Sequence, residues 1–100
     1  HPRPAHKIMK KILKVLAQSE PFAVQTQKAE GGQLMKCNIV LQELGGKYEN
    51  AYSATMLGSL AECKFYPGEL VYAVLRFQVR EYNGQLFQDI LATELVRIKN

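Results

Sequence analysis

One hundred residues with 13 Lys or Arg, nine Asp or Glu, two Cys and no Trp make one domain, long enough to bury about 65% of its unfolded surface without metals or disulfides. Two cysteines, Cys37 and Cys63, are too few for a disulfide framework and lack metal-ligand spacing, so both are expected as free buried thiols in a reducing, cytoplasmic setting. No apolar stretch approaches the ~20 residues of a membrane span. The formal charge of +4 belongs to one end: Arg3, Lys7, Lys10, Lys11 and Lys14 precede every acid, leaving eight cations against nine acids from residue 15 onward. Attraction for phosphate must therefore come from that arm or from local clustering, not from a basic domain as such.

Residues 1 to 9 open on two prolines without periodicity and read as a flexible basic arm or a cloning remnant, with the domain spanning 10 to 100. Lys10 to Ala17 reads as a strand, although Ile8, Met9, Ile12, Leu13 and Leu16 also suit a helical face. Phe22 to Gln27 is too β-rich to continue a helix past Pro21 and reads as the far half of one long, bent first strand. After the Gly31-Gly32 turn, Met35, Cys37, Ile39 and Leu41 alternate with Lys36, Asn38, Val40 and Gln42, the pattern of a half-buried second strand. A loop over residues 45–50 leads to a third strand, Ala51 to Leu57, and then to a short helical segment from Gly58 to Lys64. Pro67-Gly68 is a turn that launches the fourth strand.

The last third is one long hairpin. Asn83-Gly84 lies between two alternating apolar runs, and both central residues of a type I′ turn need positive φ, which these two residue types tolerate best. That turn sets a register in which Phe77 faces Ile90, Leu75 faces Ala92 and Val71 faces Val96 on a core side. The outer side pairs Arg80 with Phe87, Gln78 with Asp89 and Arg76 with Leu91.

Five strands with one short helix between the third and fourth follow the element order of an OB-fold, an all-β Greek-key barrel. The segment Leu57-Gly58-Ser59-Leu60-Ala61-Glu62 resembles the strand-to-helix step of bacterial single-stranded DNA-binding proteins, and Pro67-Gly68-Glu69-Leu70-Val71-Tyr72 resembles their entry into the fourth strand. Arg80-Glu81-Tyr82-Asn83-Gly84 with Asp89-Ile90-Leu91-Ala92-Thr93 is similar to the last hairpin of the primosomal replication protein B-like members. The resemblance covers roughly residues 34 to 98 and is more specific for fold than for function.

What the resemblance implies is single-stranded DNA binding without marked sequence preference. Aromatic side chains stack on bases of any identity, and nearby cations track the phosphates. Carried onto this chain, the family's binding regions offer Lys36, Lys47, Tyr48 and Tyr52, and on the hairpin Arg76, Arg80, Tyr82 and Phe87. With no Trp in the chain, tyrosine and phenylalanine would have to form the platform. Each residue also has a plainer reading: Tyr48 and Tyr52 as strand surface, Arg76 and Arg80 as solvated partners of Asp89 and Glu81.

Catalysis and cofactors are not expected. The only histidines are His1 and His6, Asp89 is the sole aspartate, and no nucleophile has a base beside it. Single-stranded DNA, with RNA as a variant, and further copies of the chain in a homodimer or homotetramer are the expected partners. The alternative is an OB-fold protein-interaction or assembly module with little nucleic-acid affinity.

Overall fold

A computed structural model describes residues 7–25, 32–46 and 48–98. Among the described residues the chain is all-β, with six strands: β1 (Lys7–Gln18), β2 (Phe22–Gln25), β3 (Gln33–Glu43), β4 (Ala51–Leu57), β5 (Leu70–Tyr82) and β6 (Gln85–Arg97). A 3-10 turn, Gly58–Glu62, sits between β4 and β5, where the helical segment was expected. β1 takes in residues 7 to 9 as sheet, while the arm residues 1 to 6 lie outside the described residues. No helix is long and apolar enough to cross a membrane among the described residues.

The strands form a ring of hydrogen bonds. β1 pairs antiparallel with β5 from Lys7↔Phe77 to Lys14↔Leu70, then with β3 from Leu13↔Glu43 to Gln18↔Ile39. β3 pairs with β4, β4 meets β6 in a parallel bridge at Thr55↔Leu91, and β6 returns antiparallel to β5. A strand serves two neighbours in this way only if it bends. In β1 the bend is a bulge between Val15 and Ala17, which adds twist at the crossing. The Pro67-Gly68 turn is clamped to the same point, Val15 N–H donating to Glu69 O and Gly68 N–H to Val15 O, both at 2.8 Å.

β2 continues β1 along one edge of β3, with Phe22↔Lys36 following Gln18↔Ile39, as expected for a bent first strand. The break falls at Ser19–Pro21. There the Ser19 side chain bridges the gap, its Oγ accepting the Asn38 N–H at 2.9 Å while Ser19 N–H donates to Asn38 O.

Alternation decides which face each strand buries. Leu13 and Val15, then Cys37, Ile39 and Leu41, then Ala54 and Met56, then Val71, Ala73 and Leu75 are sealed inside the ring. Burying each larger aliphatic contributes about 1.5–3 kcal/mol, so the core carries the fold. Phe65, with Ala61 of the 3-10 turn, closes one end. Gln18 fastens that plug, its Nε2 donating to Cys63 O at 2.8 Å and its Oε1 accepting Phe65 N–H at 2.7 Å. Cys37 is buried as expected, but Cys63 is exposed. It lies just past the 3-10 turn, where strand alternation no longer applies.

The hairpin turns at Asn83 (φ 53°) and Gly84 (φ 78°). Its register agrees with the sequence expectation from Leu75↔Ala92 to Tyr82↔Gln85. Farther from the turn it slips by one residue, so Val71 opposes Arg97, not Val96. The cause is a bulge between Val74 and Leu75 on one side and the added Thr93 on the other, and Thr93 Oγ1 donates to Val74 O at 3.1 Å. One extra residue exchanges the faces that follow. Leu95 becomes a core residue beside Ala73, and Val96 turns outward beside Tyr72.

Candidate nucleic-acid interface

The hairpin's outer face carries the chemistry the turn was expected to display. Arg80 and Phe87 are Cα partners, and the Arg80 guanidinium carbon lies 5.1 Å from the centre of the Phe87 ring, within cation–π range. Phe87 remains 38% exposed. Arg80 Nε donates to Asp89 Oδ2 at 2.6 Å, so the plainer reading of Arg80 as a cross-strand ion-pair partner is also realised. One guanidinium serves both, because its edge and its face are separate surfaces.

Ring closure brings a second wall against this face. A groove of about 310 Å³ runs between the hairpin and the β3–β4 surface, with Gln78, Arg80, Asp89 and Leu91 on one side and Lys36, Thr55 and Leu57 on the other. Lys36 and Leu57 are Cα partners, as are Asn38 and Thr55, and Thr55 Oγ1 donates to Asn38 Oδ1 at 3.4 Å. The groove thus holds two cations, one carboxylate and the apolar side chains of Leu57, Ile90 and Leu91.

Arg76 stands on the same face of β5 two residues before Gln78, opposite Leu91 and Ile8. Its Nε is buried and has no hydrogen-bond partner among the described residues. A buried donor left unmade costs about 1–3 kcal/mol.

The remaining sequence-derived residues scatter. Tyr82 is exposed at the hairpin tip, and Tyr48 is 89% exposed in the β3–β4 loop. Lys47 lies outside the described residues. Tyr52 faces the core side instead, packed against the core cluster. Its ring meets Phe77 edge-on at 6.1 Å and its hydroxyl donates to Glu43 Oε2 at 2.6 Å. That bond raises the Tyr52 pKa and, with the neighbouring Lys11 ammonium 3.3 Å from the same oxygen, holds Glu43 below the ordinary glutamate value. Even-numbered positions of β4 point inward, as Ala54 and Met56 show, so Tyr52 ties strands together and offers no open ring face.

Sequence reasoning missed Thr55 and Leu57 as groove residues. They meet the hairpin only through the parallel β4–β6 bridge, which leaves no local signature. Gln78 and Asp89 were legible as a pair but not as groove lining, since pairing is set by the turn whereas the groove needs a distant strand. No group of three His, Cys, Asp or Glu side chains suited to a metal occurs among the described residues. No family model and no curated protein sequence matches this chain.

Proposed function

We propose that the chain is an OB-fold, a five-stranded Greek-key barrel in which β1 and β2 count as one bent strand, and that it binds single-stranded DNA. The ring order, the parallel bridge between β4 and β6 and the 3-10 turn before β5 support the fold. For the function, the observation that carries most weight is the Arg80–Phe87 pair standing beside a groove that also holds Lys36.

On this reading Phe87 offers an open ring to a base, a stack worth about 1–3 kcal/mol whatever the base. Lys36, Arg76 and Arg80 hold the sugar–phosphate backbone, and binding takes place without marked sequence preference. The protein is read as a non-enzymatic, cytoplasmic binding module without cofactors. RNA is the same chemistry with a 2′-hydroxyl, for which the groove shows no dedicated partner.

Labelled oligo-dT tests this by fluorescence anisotropy at rising salt. Contacts through these three cations should give a slope of log affinity against log salt of about −2. Arg80→Glu with Phe87→Ala should weaken binding about tenfold or more while the melting temperature stays close to that of the parent. Unchanged oligo-dT affinity in that variant would remove the proposal.

A second reading, a protein-interaction or assembly module, draws on a different surface. Ile12, Tyr72 and Val96 are Cα neighbours on β1, β5 and β6 and lie outward, 44%, 36% and 50% exposed. Such an apolar row suits a second copy in a homodimer or homotetramer. Sedimentation of the parent and of Val96→Glu tests this surface, and oligo-dT titration of the same variant separates the two readings, since the groove on the β3–β4 side is untouched by that change.

A further inference from the structure

The groove holds one feature that non-selective strand binding does not need, a carboxylate among its cations. Asp89 Oδ2 accepts Arg80 Nε at 2.6 Å, whereas no donor reaches Oδ1 among the described residues. The carboxylate is therefore oriented by one bond and left with most of its acceptor capacity, four lone-pair sites in all. Its Cα partner Gln78 also lines the groove, and the Gln78 amide has no hydrogen-bond partner among the described residues. Lys36 faces both from the opposite wall.

We propose that this corner is a base-edge subsite for guanine, with Asp89 as its specificity-determining residue. The inference rests on the single-strand reading above. Only guanine presents two adjacent N–H donors, N1–H and the 2-amino group, on its pairing edge, and a carboxylate is their complement. Its O6, next along the same edge, accepts from the Gln78 amide or the Lys36 ammonium. Thymine places its lone N3–H between two carbonyl oxygens, and the carboxylate repels both. Cytosine and adenine each set a ring acceptor beside their amino group, so either satisfies only one carboxylate oxygen. Arg80 keeps Asp89 aimed while Phe87 keeps Arg80 in place, so recognition and stacking share one support. Affinity still comes from stacks and phosphates, and the subsite biases which base of the strand settles there.

Anisotropy titrations of oligo-dT, and of the same strand with one central dG or one central deoxyinosine, test this without altering the protein. The dG strand should bind about fivefold or more tightly than oligo-dT, with deoxyinosine, which lacks the 2-amino group, falling between them. Asp89→Asn should erase the difference between the dG strand and oligo-dT. Equal affinity for all three strands overturns the guanine subsite while leaving single-strand binding intact, as does a dG preference undiminished in Asp89→Asn. Failure of oligo-dT itself to bind at low salt overturns the underlying reading instead.

Discussion

Two places in this protein are built from the same three groups and come out differently. Near the groove, Arg80 lies 5.1 Å from the Phe87 ring and 2.6 Å from Asp89. At the plugged end, Arg97 lies 5.0 Å from the Phe65 ring and 2.7 Å from Glu69. The pairwise geometry is almost identical, but what meets the other face of the ring is not. Phe65 is 5% exposed and belongs to the core, and Arg97 adds a bond from Nη2 to Lys64 O at 2.6 Å. Phe87 opens onto solvent beside a groove. An arginine, a phenyl ring and a carboxylate are therefore a closure in one setting and a candidate binding surface in the other, and burial of the ring distinguishes them.

The largest expected effect that tests this contrast is on stability. Phe65→Ala should cost about 3–5 kcal/mol by denaturant unfolding, since it empties a filled site. Phe87→Ala should change stability by less than about 1 kcal/mol. Equal losses would mean that Phe87 is structural and that the comparison fails.

A smaller separation should appear between the two arginines. Arg97→Ala removes a charge-assisted bond to a backbone carbonyl and should cost about 1–2 kcal/mol. Arg80→Ala breaks an exposed pair, which is worth about 0–1 kcal/mol. Chemical denaturation of both variants would order them.

The smallest effect lies in the pH dependence. The Tyr66 backbone N–H first, and then Arg97, hold the Glu69 pKa below its ordinary value of 4.5. A carboxyl whose folded pKa is depressed contributes stability that is fully present above its unfolded pKa and is lost as pH falls through the folded one. Melting temperature should therefore decline from about pH 4.5 downward, and Glu69→Gln should flatten that decline.

Much of the hairpin was legible beforehand, because it depends on short-range rules. Asn83-Gly84 sets the turn, the turn sets the register, and the register puts Arg80 opposite Phe87. The register failed where a rule of period two meets an inserted residue: Thr93 carries no sign that it will bulge, so Val71 was paired with Val96. Tyr52 reads from the sequence as an outward binding residue or plain strand surface because tyrosine suits either face of a strand, and its direction depends on how Ala54 and Met56 are buried beside it. The Arg97–Phe65 trio joins β6 to the connection that precedes β5 and has no local signal at all.

The amino-acid order alone determined an all-β chain, its main strands and turns, and one guanidinium–phenyl pair on an outer face, since alternation and turn chemistry act over a few neighbouring residues. The tertiary structure decided the groove, the burial of Phe65 against the openness of Phe87, and the inward turn of Tyr52. These depend on β1 bending to serve two strands and on β4 meeting β6, closures whose free energy is shared by the whole core and written in no single segment.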